Sequence, residues 1–190
     1  NRAMTPDAVG PLAADSVLVT RHLLSAQPKQ FSGFRAVAAL RPGVLGTTGI
    51  EAAEAVLSLT ERLQPAAVIA VDALASRRCE RVCTTVQLSD TGIVPGSGVG
   101  NHRAALNRET LGVPVFAIGV PTVVDAATIV QDAVFKDCGM EDQDFLDRKE
   151  KITGAMDELY NMYVTGKDVD YEIRQISHII CNAIHLALEL

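Results

Sequence analysis

Read for its alternation of apolar and polar positions, the chain switches repeatedly between helical spacing and short continuous apolar runs. Over about 7–26, Leu12, Val17, Leu18 and Leu24 fall at core-compatible spacings and predict one helix that stops before Pro28. Its head, Thr5-Pro6-Asp7, places Pro near the first turn and a carboxylate among free backbone N–H groups. A strand is expected over 34–40, closed by Arg41-Pro42-Gly43, and a second helix over about 50–63, ending before Pro65. The run Ala66-Ala67-Val68-Ile69-Ala70-Val71-Asp72 is almost wholly apolar, as a parallel strand covered on both faces must be. Two more strands are expected over 82–88 and over 113–120 ahead of Pro121. Beyond Ala126 the pattern is helical, over about 126–138, on to about 160, and over about 169–188.

Strands alternating with helices predict an α/β fold: a three-layer parallel or mixed sheet with helices on both faces. Residues 90–101 carry four glycines in a stretch without period, which predicts a shaped loop. The charged stretch 141–151, with Glu141-Asp142-Gln143-Asp144, reads as a loop before the last helices, too short to divide domains. A single domain over 1–190 is expected. Composition agrees, with 48% hydrophobic and 21% charged residues, enough to fill a core. Aromatics make up only 4% and Trp is absent, so stacking platforms for single-stranded nucleic acid are not expected. A net charge of −6 without a basic run argues against a phosphate-backbone partner. The four cysteines, Cys79, Cys83, Cys138 and Cys181, read as reduced thiols of a cytosolic protein. Neither a spanning segment nor a signal peptide is present in the sequence, so a soluble intracellular chain is expected. It starts without an initiator Met, and an upstream part of the gene product is expected.

Ligands in open parallel sheets bind beyond the carboxyl ends of the strands, which directs attention to Asp72 at the end of the most apolar run. An ionised carboxylate there is costly unless paired, and a turn cap is the alternative role. Asp7, at a helix head, is the second candidate, with a helix-start role as its alternative. Two such carboxylates facing each other across a crevice and sharing a proton form an acid/base pair able to activate water against a peptide carbonyl.

Five strings carry a resemblance. Met4-Thr5-Pro6-Asp7-Ala8-Val9-Gly10-Pro11, Pro42-Gly43-Val44-Leu45-Gly46-Thr47-Thr48-Gly49-Ile50-Glu51, Val68-Ile69-Ala70-Val71-Asp72-Ala73-Leu74-Ala75, Ser89-Asp90-Thr91-Gly92 through Gly100-Asn101, and Ala117-Ile118-Gly119-Val120-Pro121-Thr122-Val123-Val124-Asp125-Ala126 resemble the germination protease of spore-forming bacteria. That family comprises endopeptidases that degrade small acid-soluble spore proteins. The likeness runs over about 1–133 and returns weakly over about 164–188. It implies a core similar to the hydrogenase-maturation peptidases and an essential aspartate pair in the strings holding Asp7 and Asp72, 65 residues apart. It also implies a homo-oligomer, a tetramer in the family's manner, and a spore-core location. The family's propeptide and glycine-rich first strand have no counterpart here beyond Asn1, and the insertion after the Asp125 string is much shorter, so zymogen control does not carry over.

Asp90 and Asp125 sit at loop entries in matched strings and are candidates for lining the site, with turn capping as the alternative. Arg77 and Arg81 match the family string around Glu80, whereas Arg78 does not; the matched pair is a candidate receptor for an acidic substrate side chain, and a solvated ion-pair face is the alternative. Gly96, Gly98 and Gly100 lack a following Lys-Ser/Thr, so a substrate-binding wall is expected in place of a phosphate cradle. No cofactor and no metal are expected; His102 completing a metal site with Asp7 and Asp72 is the alternative, as in a metal-dependent maturation peptidase. His178 and His185 share a face of the last helix, where packing is expected. A non-catalytic fragment or packing subunit of the same fold is the rival from another functional class.

Overall fold

The computed structural model describes residues 5–95, 104–138 and 159–190. Its centre is β3 (Val115–Asp125), which β1 (Val68–Ser76) flanks in parallel and β2 (Gln87–Ser89) flanks antiparallel, in the order β1-β3-β2. A short β4 (Tyr163–Val164) adds antiparallel to the end of β3. The sheet is therefore mixed and open, and the fold is α/β.

Helices cover both faces. On one, Val71, Ile118 and Val120 meet Ala8, Val9 and Ala13 at α1 (Val9–Ser16) and Val169, Ile173 and Ile180 of α7 (Val169–Leu188). The stripe Val169, Ile173, Ile176, Ile180 and Ile184 is the apolar face of an amphipathic helix, with Asp170 and Glu172 in its first turn and His185 in its last, the arrangement its dipole favours. α1 and α7 are tied at two levels: Ser177 Oγ donates to the Val9 carbonyl at 3.3 Å, and the Leu18 N–H donates to His185 Nε2 at 2.8 Å. On the other face, Val68 and Val115 pack with Ala53, Val56 and Leu57 of α4 (Ala52–Leu63), together with Leu106 and Leu111. Leu111 belongs to α5 (Arg108–Leu111), which Asn107 and Thr110 cap reciprocally. The remaining α-helices among the described residues are α2 (Arg21–Ala26), α3 (Leu45–Thr48) and α6 (Ala126–Cys138).

Several expected elements come out differently. The helix over 7–26 is two helices, because Thr20, only 1% exposed, gives its hydroxyl to the Arg35 carbonyl and accepts the Val37 N–H. The expected strand over 34–40 joins no ladder; the N–H groups of Thr20 and Arg21 both turn to the Val37 carbonyl instead. The strand expected over 82–88 shrinks to Gln87–Ser89, since Val82 to Thr84 bond back into the turn Cys79–Arg81 and to Pro121. β3 runs through Pro121 to Asp125, where a bulge tolerates the missing N–H: Leu74 pairs with Pro121 and Ala75 with Val123, so Thr122 is skipped. α7 matches its expected span. The charged stretch 141–151 and most of the helix expected up to 160 lie outside the described residues.

Candidate active site

Asp72 stands within β1, four residues short of its end, because Ala73 to Ser76 keep pairing with β3. In-register pairs share a face, and Val68 with Val115 packs under α4, so Asp72 faces the α4 side, in one column with Ala70 and Leu74. Its partner in register is Gly119, and Gly119 in turn pairs with Gln87 of β2. The carboxylate is half-buried, and Oδ1 accepts the Ala73 N–H at 3.0 Å.

Asp7 lies in the turn before α1 and is also half-buried. The cap position of α1 is Ala8, and no side chain makes a capping hydrogen bond there, so the helix-start alternative for Asp7 is not what the backbone uses. Val9, two residues on, packs in the same cluster as Val71, the residue before Asp72. The core thus draws the two aspartate-bearing segments together. Thr5, also in this turn, donates its hydroxyl to Asp170 at the head of α7.

Beyond Asp72, β1 runs into a built corner. Ser76 is buried; its Oγ donates to the Arg78 carbonyl at 2.7 Å and accepts the Arg78 N–H at 3.2 Å. The Cys79 N–H donates to Asp132 Oδ2 of α6 at 3.3 Å. This corner holds Arg77, Arg78 and Arg81 exposed, and among the described residues none of the three pairs with a carboxylate. The ion-pair alternative finds no partner for them among those residues.

Cys83 follows, at φ 54°, with its N–H on the Pro121 carbonyl at 2.7 Å. Burial pushes its thiol up to about 11, helped by the hydrogen bond to Glu172 and that residue's charge. Burial also raises Cys181, whose Sγ lies 3.5 Å from His185 Nε2. Cys79, Cys83 and Cys181 are all free thiols. His178 is exposed, whereas His185 is half-buried in the α1–α7 contact.

Asp125 is the N-cap of α6: Oδ1 accepts the Thr128 N–H at 2.7 Å and Oδ2 the Thr128 hydroxyl at 2.8 Å. Asp90 is exposed in the turn after β2, beside the Ser89–Thr91 hydroxyl pair. Gly92 follows at φ +84°, and a Cβ there would lie 2.1 Å from the Leu106 carbonyl oxygen, so only glycine lets Ile93 bridge to Leu106. Gly96, Gly98, Gly100 and His102 lie outside the described residues. Among the described residues no group of three or more His, Cys, Asp or Glu side chains could hold a metal ion, and no helix is long and apolar enough to cross a membrane.

Gly119 escaped the sequence reading as a site neighbour. A lone glycine inside an apolar strand signals a close approach, yet only the register shows that Asp72 is beside it.

A family model described as germination protease matches residues 1–158. A germination protease of Clostridium perfringens (strain SM101 / Type A) is 46% identical over 206 residues, covering all of this chain and 63% of the relative. One from Bacillus mycoides (strain KBAB4) is 57% identical over 135 residues, 70% of this chain and 37% of the relative. One from Bacillus velezensis is 42% identical over 235 residues, 99% of this chain and 64% of the relative. The chain thus spans less than two thirds of the length of these curated relatives. It belongs to the germination protease family of peptidases.

Proposed function

We propose that this chain carries the peptide-cleaving site of a spore endopeptidase acting on small acid-soluble spore proteins, with Asp7 and Asp72 as a carboxylate pair. The observation that carries the reading is the shared cluster of Val9 and Val71, which anchors the two aspartate segments to one another in a chain of this family. Val71 and Asp72 are consecutive in β1 and point to opposite faces, Val71 toward α1 and α7 and Asp72 toward α4; β1 is an outer strand in the described sheet, and this reading requires the two carboxylates to meet past that edge. One carboxylate takes a proton from water while the other, protonated, donates a hydrogen bond to the scissile carbonyl; the roles follow from two carboxyl groups sharing a single proton. Arg77 and Arg81, exposed and without carboxylate partners among the described residues, receive an acidic side chain of the substrate. Asp90, Gly96 and Gly98 take part in binding the substrate, and Asp125 supports the site through the head of α6. The core is related to that of the hydrogenase-maturation peptidases, the working form is a homo-oligomer, and the compartment is the spore core.

The test is replacement in the full-length enzyme. Asp7→Asn and Asp72→Asn each abolish hydrolysis of a small acid-soluble spore protein while circular dichroism stays native, and the double variant loses no more than either single, because the pair acts as a unit. Near-normal turnover by either single variant removes the mechanism.

A further inference from the structure

Asp72 of β1 and Gly119 of β3 are register partners, so a side chain at 119 would stand on the Asp72 face of the sheet, one strand spacing away. Gly119 has none, and its place is taken. A Cβ built there would lie 2.3 Å from Leu74 Cδ1 and 3.0 Å from Leu74 Cγ. The register partner of Leu74 itself is Pro121, so the leucine leans back by two residues into the row of Asp72. Adjacent strands are about 4.8 Å apart, which puts the tip of Leu74 against the flank of the Asp72 side chain. We infer that Leu74 is a positioning residue for Asp72: admitted by the bare Gly119, its methyl group closes one side of the carboxylate and restricts it to the orientation that accepts the Ala73 N–H. This inference rests on the reading of Asp72 as a catalytic carboxylate.

A leucine that merely fills core would affect stability. A positioning leucine affects kcat in enzyme that is fully folded, since misplacing a reacting group by a fraction of an ångström weakens the chemical step and leaves ground-state binding alone. Two substitutions act on the same slot. Leu74→Ala empties it, whereas Gly119→Ala drives a methyl into the leucine and expels its tip. In the double variant the methyl introduced at position 119 stands where the leucine tip stood, so the slot is filled again.

The experiment measures kcat and KM on a small acid-soluble spore protein for the full-length enzyme, normalised to the folded fraction from urea unfolding. Each single substitution lowers kcat by about tenfold with KM within about twofold, the double variant recovers to within about threefold of wild type, and Leu74→Met, long enough to reach the slot, stays near wild type. The inference is overturned if both single variants keep their kcat, if the loss is confined to KM, or if the double variant is no better than the worse single. Asp72→Asn separates the layers. If it is inactive while Leu74→Ala and Gly119→Ala are unaffected, the positioning role alone fails; if it turns over normally, the catalytic reading fails and takes this inference with it.

Discussion

Thr20→Val keeps the size and shape of a residue that is 1% exposed and deletes its hydroxyl. Two groups lose their partner at once: the Arg35 carbonyl, which the hydroxyl donates to, and the Val37 N–H, which it accepts at 3.0 Å. Each sits in partly buried surroundings, where an orphaned backbone group costs about 1–3 kcal/mol, so the variant is expected to lose about 3 kcal/mol. The surrounding backbone bonds cannot compensate, because the Val37 carbonyl is already shared by the N–H groups of Thr20 and Arg21. With a urea slope of about 2 kcal/mol/M for a chain of this size, the unfolding midpoint falls by about 1.5 M. Thr20→Ser keeps the hydroxyl and gives up one methyl group, about 1 kcal/mol or about 0.5 M. Both midpoints come from urea titrations followed by circular dichroism at 222 nm. If the valine variant is as stable as the serine variant, the hydroxyl is not what pins the 35–37 segment, and the break between α1 and α2 needs another cause.

Arg77→Leu and Arg81→Leu are expected to lower kcat/KM on a Glu-containing peptide by about tenfold each, the loss of a charge-assisted hydrogen bond at an exposed site, with much smaller losses on the Gln peptide and none for Arg78→Leu; equal losses on both peptides return the cluster to solvent. At pH 8 the Cys83 thiol, held at about 11 against an ordinary 9.0, is ionised in about one molecule in a thousand where a free thiol would reach about one in ten, so iodoacetamide labelling followed by mass spectrometry finds it about 100-fold slower than a free cysteine peptide. Glu172→Gln speeds it, leaving only the effect of burial, and labelling at the peptide's rate in wild type refutes the contact. Because the folded thiol holds its proton more tightly than the unfolded one, the associated stability is whole below pH 9 and is lost as the pH rises toward 11.

The elements legible in the sequence are those whose signal is local. α7 emerged at its full span because five apolar residues at helical spacing, acidic groups at its start and His185 near its end all agree. α4 ran from a glycine-containing turn to a proline. Misread elements depended on distant partners. Nothing near Thr20 announces that its hydroxyl is taken by residues 15 and 17 positions later, and a β-branched residue in a periodic segment is otherwise tolerated in a helix. The stretch before Gln87 reads as strand because Val82, Thr84, Thr85 and Val86 are β-branched, yet β3 offers it only a three-residue ladder.

The site divides along the same line. Asp72 stands out as a candidate because a carboxylate in an apolar run is expensive, and Asp7 because it precedes a helix, both properties of a few neighbouring residues. The side chains around them do not, since they are set by the register between strands nearly fifty residues apart. A slip of one residue would put Ile118 or Val120 opposite Asp72, filling the slot that Gly119 leaves for Leu74 and exposing the opposite face of β3 to α4. The row of Val68 and Val115 under α4 fixes that register from below. The bulge acts from above: by skipping Thr122 it lets Ala75 and Ser76 continue pairing with Val123 and Val124, so the irregularity that accommodates Pro121 is absorbed two residues beyond Asp72 and leaves the Asp72–Gly119 row in place.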